Sequence, residues 1–215
     1  MESYKQVDKS HYSFKLYMNK ERWASVWHQL NEVICFNPKN VLEIGPGPGI
    51  FKQAGKVFEL NVETLDLDAS LKPDCVGSAT SLPFVDASYD VVCAFQMLEH
   101  LPYESALQAF SEMVRVSRRN VVLSLPDAKQ VWRYRFHVPT LGSYTLLIPR
   151  PTFKLAKHVF NGEHYWEINK QGYDLDRVIQ DFGNISALVK TYRVFENPYH
   201  RFFVFERSSV KQHCE

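Results

Sequence analysis

Hydrophobic positions along the chain change period several times, and each change marks a boundary between elements. Over residues 20–35, Trp23, Val26, Trp27, Leu30, Val33 and Ile34 recur at the i, i+3, i+4, i+7 spacing of an amphipathic helix with one buried stripe. The period then shortens. Val41-Leu42-Glu43-Ile44 meets Gly45 at once, as a buried strand entering a tight turn does. A helix over 50–58 and a strand over 62–65, ending at Asp66, continue the alternation. Residues 89–95 are apolar except for Asp90 and carry tandem valines, which predicts a central strand buried on both faces.

Pro102 opens a further helix with Ala106, Leu107, Phe110, Met113 and Val114 on one face, and Arg115, Arg118 and Arg119 are placed to complement its C-terminus. A strand over 120–125 follows, stopped by Pro126. Leu175, Val178, Ile179 and Phe182 repeat at helical spacing before Gly183, and two β-rich runs, 185–194 and 201–205, flank a Glu196-Asn197-Pro198 turn. The pattern predicts an α/β fold: a mostly parallel sheet with helices on both faces and an antiparallel closing strand. In such sheets ligands gather at the carboxyl ends of the strands, near the point where strand order reverses.

The bulk numbers narrow the function. With 215 residues, 45% hydrophobic and 14% aromatic, the chain has material for one sizeable core, so residues 1–215 are expected to form a single domain. Residues 1–37 are expected to be an N-terminal helical cap and 127–170 a lid inserted over the substrate. Twenty-five basic against 24 acidic residues give a formal charge of +1, so no global field draws the chain to nucleic acid or an anionic membrane. Cys35, Cys75, Cys93 and Cys214 are scattered without a Cys-x-x-Cys pair, the pattern of free thiols in a reducing compartment rather than of a zinc site or disulfide framework. No metal ion is expected. The opening residues carry no apolar signal segment and no run of ~18 apolar residues occurs, so a cytoplasmic location is expected.

The strongest chemical signal is Glu43-Ile44-Gly45-Pro46-Gly47-Pro48-Gly49, an acid on the strand and three glycines at alternate positions in the loop. Glycines there remove every Cβ that would hold a ligand away from the backbone. A dinucleotide-binding Gly-x-Gly-x-x-Gly turn would need its third glycine at position 50 or 52, which are Ile50 and Lys52. Asp66, at the end of the next strand, is placed to accept hydrogen bonds from a pair of ribose hydroxyls.

Glu43-x-Gly45-x-Gly47-x-Gly49, Asp66, Gly77-Ser78-Ala79-Thr80-Ser81-Leu82-Pro83-Phe84, Tyr89-Asp90-Val91-Val92 and Leu98-Glu99-His100-Leu101 together resemble the successive motifs of class I S-adenosylmethionine-dependent methyltransferases, particularly the small-molecule branch. The likeness is detailed over residues 38–126. It implies a Rossmann-like three-layer sandwich whose seven-stranded sheet takes its last strand antiparallel, and S-adenosyl-L-methionine as cofactor. By the same resemblance Glu43 and the backbone of Gly45, Gly47 and Gly49 serve the methionine part, and Asp66 the ribose. Ser78 and Ala79 lie at the adenine edge, and Phe95 and Gln96 border the methionine. The family often carries an acid where Ser78 stands, so the base here is expected to rely on the Ala79 backbone and apolar packing from Leu67. Asp68 is a second carboxylate near the ribose.

A sulfonium methyl group is already electrophilic, so the protein has mainly to align an acceptor and exclude water. A hydroxyl or amine acceptor also needs to lose a proton, for which histidine is suited. His100, just past the fourth strand, is one candidate base, with a structural role as the alternative. His164 and Glu167, in Gly162-Glu163-His164-Tyr165-Trp166-Glu167, are candidates for touching substrate. Between Asp127 and Glu163 the chain has no acid but carries Lys129, Arg133, Arg135, Arg150, Lys154 and Lys157 among aromatics that include Trp132, Phe136 and Phe153. That local charge suits a small or medium-sized anionic acceptor, the alternative being a solvated basic surface that only buries its stems, while the near-neutral remainder of the chain disfavours nucleic acid. The competing function is a non-catalytic module that binds the cofactor or a protein partner on the same fold. Replacing Asp66 with Ala is expected to weaken binding of S-adenosyl compounds by ~1–3 kcal/mol, measured by calorimetry; unchanged affinity would remove Asp66 from the site.

Overall fold

The computed structural model describes residues 12–152, 154–160 and 162–207; Cys214 and Phe153, named above, lie outside them, as do the first 11 residues. The N-terminal part holds a short helix α1 (Phe14–Tyr17) and the amphipathic helix α2 (Lys20–Ile34), whose Asn19 side chain caps the Arg22 N–H at 2.8 Å. β1 (Val41–Ile44), α3 (Ile50–Val57), β2 (Val62–Asp66), β3 (Cys75–Val76), β4 (Tyr89–Phe95), α4 (Tyr103–Val116) and β5 (Ser117–Pro126) then alternate. A hairpin of β6 (Val131–Val138) and β7 (Gly142–Pro149) precedes α5 (Leu175–Gly183), β8 (Ala187–Arg193) and β9 (His200–Glu206).

Seven strands form one sheet in the order β3-β2-β1-β4-β5-β9-β8, with β9 antiparallel between β5 and β8. Alternate residues of the central strands enter two separate cores, because successive side chains of a strand point to opposite faces. Leu42, Ile44, Val92 and Ala94 pack with Phe110 of α4 and Phe182 of α5, whereas Val41, Val91 and Cys93 pack with Val33 of α2 and Phe51 of α3. The result is the three-layer sandwich with an antiparallel closing strand that the periodicity predicts. No described helix is long and apolar enough to cross a membrane.

Some boundaries differ from the sequence reading. Arg118 and Arg119 do not cap α4 but lie in β5, where both reach the buried Asp90 of β4, and only Arg115 remains in the last helical turn. The strand does end at Pro126, but Pro126 is its last residue and pairs with His200 in β9. The missing N–H does not interrupt the ladder, because the Asp127 N–H donates to the Tyr199 carbonyl at 2.7 Å and the Pro126 carbonyl accepts from Ile168 N–H at 3.0 Å. Strand β3 is only two residues long, below what periodicity can register.

Beyond β5, the chain is tied down by Asp127, which is fully buried in its side chain. Its carboxylate accepts from Arg201 Nε at 2.8 Å, from Asn169 Nδ2 at 2.8 Å and from the Lys129 N–H at 2.9 Å, with Arg193 Nε at 3.5 Å. One acid thus joins β8, β9 and both ends of the 127–170 segment. Trp166, with no solvent exposure, anchors the same segment between Tyr103 and Tyr173, and its indole N–H donates to the Leu101 carbonyl. Asp127→Ala leaves two largely buried arginines facing each other unpaired and is expected to lower stability by ~3–5 kcal/mol, read by denaturant unfolding. A loss below ~1 kcal/mol would show that water replaces the carboxylate.

Candidate functional site

Strand order reverses between β1 and β4, which pair in parallel with Glu43 opposite Cys93 and Ile44 opposite Ala94. The loops leaving their carboxyl ends therefore emerge side by side. From β1 runs the glycine turn. Gly45, Gly47 and Gly49 all take left-handed φ angles, +66°, +53° and +74°, which side chains tolerate poorly. Gly45 has a second reason: a Cβ there would stand 2.3 Å from Met97 Cγ, in the loop leaving β4. Gly47 lies under the ring of Tyr12, which a Cβ would meet at 3.1 Å.

The loop from β4 is held under comparable constraint. Gln96 has φ +54° and donates its N–H to the Ser124 carbonyl at 2.9 Å. A short helical turn, Leu98–His100, follows and buries Glu99 completely. Onto this turn docks the segment around His164: Tyr165 N–H donates to the Glu99 carbonyl at 2.9 Å, and Glu163 presents its carbonyl 3.0 Å from His100 Nδ1.

These loops enclose one cleft. Of the residues expected to bind cofactor, Glu43, Gly45, Gly47, Phe95 and Gln96 line it. Gly49 sits at the N-cap of α3 beneath it. Asp66, Leu67, Ser78 and Ala79 stand outside its lining, on the neighbouring strand ends: Gly45 N–H donates to the Leu65 carbonyl and Gly77 N–H to the Asp66 carbonyl. Asp66 Oδ1 accepts from the Asp68 N–H at 2.9 Å, and burial holds its carboxyl above the usual range. Leu67 is exposed, and the Ser78 hydroxyl is engaged with Thr80 at 2.9 Å.

Of the expected catalytic residues, His100 and His164 line the cleft with ring centroids 5.0 Å apart, nearly perpendicular. Glu167 stands behind His164, its Oε1 3.0 Å from His164 Nδ1 and 2.7 Å from the Tyr199 hydroxyl. Burial alone would lower the His164 pKa, but the Glu167 hydrogen bond and the carboxylates of Glu99, Glu167 and Glu163 outweigh it and hold it above the usual value. The sequence reading missed Tyr17, Arg22, Glu163, Tyr199 and His200 as lining residues, and passed over Glu99 within its motif. An acid inside the apolar run Met97-Leu98-Glu99 was the one available signal.

Two carboxylates define the electrostatics. Glu43, on β1, is buried with Oε2 lacking any hydrogen-bond partner, and burial pushes its pKa up to about 8. Glu99 is buried with neither oxygen partnered, and burial pushes it to about 7, partly opposed by His164. A buried carboxylate without a partner is costly, and each of these borders a cleft that can deliver a cation. His200 Nδ1 is likewise unpartnered, and its pKa falls to about 3 through burial and then the neighbouring Arg22.

Residues 42–125 match the family described as "Methyltransferase domain". An uncharacterised methyltransferase of Schizosaccharomyces pombe is 28% identical over 187 residues, covering 74% of this chain and 71% of that protein. Solved folds are shared at lower identity. The 1,6-didemethyltoxoflavin-N1-methyltransferase of Burkholderia thailandensis, with its substrate and S-adenosylhomocysteine bound, is 12% identical with a TM-score of 0.55, over 88% of this chain and 78% of that one. A protein of Pyrococcus horikoshii is 14% identical with a TM-score of 0.59, over 93% and 99%. Residues 42–125 therefore match a methyltransferase domain, on a fold shared with solved methyltransferases, which supports an S-adenosylmethionine-dependent methyltransferase.

Glu43 connects the site to stability. A carboxyl whose folded pKa exceeds its usual value binds more protons folded than unfolded, so it costs stability progressively as pH rises from about 4.5 to about 8. Glu43→Gln is therefore expected to melt above the parent at pH 9, to lose that advantage near pH 5, and to bind S-adenosylhomocysteine less tightly. A variant no more stable at pH 9 would mean that Glu43 is already neutralised within the fold.

Proposed function

We propose that this chain methylates a hydroxyl group on a small acceptor, with the cofactor's amino-acid end against Glu43 and the acceptor against His100 and His164. The residues fit the cofactor on two observations: a buried carboxylate with one unpartnered oxygen, suited to an ammonium group, and a turn whose Gly45 and Gly47 border the cleft with left-handed backbone and no side chains. Bound there, S-adenosylmethionine supplies an electrophilic methyl group. Asp66 would take the ribose hydroxyls, with Leu67, Ser78 and Ala79 at the base, while Phe95 and Gln96 border the sulfur. Phe95 is held for this by Phe51 and Phe202, with ring centroids at 5.1 and 6.1 Å. Gln96 is fixed by its strained backbone and by Ser124.

The observation that carries the acceptor side is the pair of histidines beside Glu99 on the wall formed by the β4 loop and residues 163–167. Such a group serves where the acceptor must give up a proton, which a hydroxyl has to do as it attacks and a neutral amine does only after the methyl group has transferred. Glu167 orients the His164 ring, and Tyr199 orients Glu167.

The basic residues of the 127–170 insertion argue less for an anionic acceptor than their number suggests. Arg133 pairs with Glu21 and with the Glu196 carbonyl, Arg135 with Glu196, and Arg150 lies over Trp132; none of them lines the cleft. The cleft itself sets Arg22 against Glu163, with Glu43 and Glu99 pushed by burial toward their uncharged forms and ready to take up a cation. A neutral or cationic hydroxylated acceptor suits that balance better, and nucleic acid suits it worst. Among the described residues, the free thiols of Cys35, Cys75 and Cys93 support a cytoplasmic setting.

Labelled S-adenosylmethionine incubated with a panel of phenols, diols, amines and carboxylates is expected to give product with the hydroxylated members first. His164→Gln should reduce turnover at least ~10²-fold while cofactor affinity stays within ~2-fold. Exclusive methylation of amines would overturn the acceptor assignment and leave the cofactor assignment intact.

A further inference from the structure

We propose that Glu99, His100 and His164 together bind a divalent transition-metal ion, and that this ion receives the acceptor's hydroxyl oxygen. The second half rests on the methyl-transfer reading above; the first stands without it.

One ligand atom from each of the three residues lies within 4.8 Å of the other two. Ligand atoms bonded at ~2.1 Å to one tetrahedral ion are ~3.4 Å apart, so side-chain rotations that move each atom by about an ångström close the set. An accidental cluster would be expected to satisfy itself, with Glu99 bonded to one of the imidazoles. Instead neither Glu99 oxygen has a hydrogen-bond partner, although the side chain is completely buried. A cation between the acid and the two rings removes that cost.

The rings are also oriented as metal-binding rings are. His100 Nδ1 faces the Glu163 carbonyl at 3.0 Å, an acceptor with no proton of its own, so Nδ1 is the donor and Nε2 carries the lone pair. His164 Nδ1 faces Glu167 Oε1 at 3.0 Å in the same way, and Tyr199 donates to that oxygen at 2.7 Å. A carboxylate or carbonyl behind each ring, fixing the tautomer and raising the basicity of Nε2, is the outer shell that metal-ligating histidines carry. Three protein ligands, two nitrogens and one oxygen, leave positions open on the ion. The same donor set selects manganese, iron, cobalt or zinc over magnesium or calcium.

The open positions face the cleft that Gln96 and Gly45 also line, so an acceptor bound to the ion sits beside the expected position of the methyl group. Coordination lowers the pKa of the hydroxyl, and its proton leaves to solvent. The oxygen lone pair then forms the bond to the methyl carbon as the carbon–sulfur bond breaks and its electron pair returns to sulfur, giving a methyl ether and an uncharged thioether. No oxidant or reductant is consumed. Acceptors with two adjacent hydroxyls, which can chelate, are favoured over isolated ones.

The test uses the full chain stripped with chelator and titrated with Mn²⁺, Zn²⁺ and Mg²⁺ in a calorimeter, with S-adenosylhomocysteine titrated in parallel. One equivalent of Mn²⁺ or Zn²⁺ is expected, with Mg²⁺ at least ~10-fold weaker. Glu99→Gln and His164→Gln should each weaken the ion by ~100-fold or more and Glu167→Gln by ~10-fold, all with S-adenosylhomocysteine affinity within ~2-fold of the parent. No saturable metal binding by the parent at 1 mM, or parent-like metal affinity in both Glu99→Gln and His164→Gln, overturns the proposal. If the parent binds S-adenosylhomocysteine but no metal, the metal site falls and the methyltransferase reading stands. If it binds metal but no S-adenosyl compound, the reverse holds.

Discussion

The parallel register between β1 and β4 is the constraint on which the site depends. Because Glu43 stands opposite Cys93 and Ile44 opposite Ala94, the two strands end level, and the loops that leave them have to pass within van der Waals reach. Met97 lies where a Gly45 Cβ would go, so the closeness of the two loops and the bareness of the turn are one fact seen from two sides. The glycines leave space for a ligand, and they also let the β4 loop approach near enough to put Glu99 and His100 on the opposite wall of the same cleft.

That arrangement sets function against stability in a traceable way. Glu43 and Glu99 are buried acids with unpartnered oxygens, and both titrate well above ordinary carboxylates because burial disfavours their charge. A fold has no structural use for either. The cost is carried by the rest of the sandwich: two cores filled from alternating positions of β1, β4, β5 and β9, and a fully paired buried acid, Asp127, that clamps the far side of the site. The contrast between Asp127, with every partner supplied from within, and Glu99, with none, separates a structural acid from one that awaits a ligand.

Much of the fold was legible because central strands and amphipathic helices carry strong periods. Residues 89–95 and 41–44 end where the apolar runs end, and α5 spans the Leu175, Val178, Phe182 stripe. The two-residue β3 was not legible, and Arg118 and Arg119 misled because cations just past a helix read equally well as dipole partners or as partners for Asp90 across the sheet. The β6–β7 hairpin was legible and overlooked. Trp132, Tyr134 and Phe136 alternate with Arg133, Arg135 and His137, a period of two that the count of positive charges obscured. Glycine-turn chemistry could be read from local sequence because it lies within seven consecutive residues. The opposite wall of the cleft could not, since Arg22, Glu99, His164 and Tyr199 meet only after α2, the β4 loop, the insertion and the turn before β9 have been assembled.

The insertion illustrates why charge counts taken along a chain predict ligands poorly. Its arginines looked available because no acid lies near them in sequence, yet Glu21 and Glu196 approach from the ends of the chain and engage Arg133 and Arg135 on the outer surface. What the insertion gives the cleft is instead an imidazole ring and its supports: Trp166 fixes the stem, Tyr165 bonds the Glu99 backbone, and His164 is delivered opposite His100. The specificity of such a wall comes from lone pairs held in fixed directions rather than from net charge. On the proposed reading, an acceptor is selected by how its oxygens match that wall and not by the arginines on the outer surface.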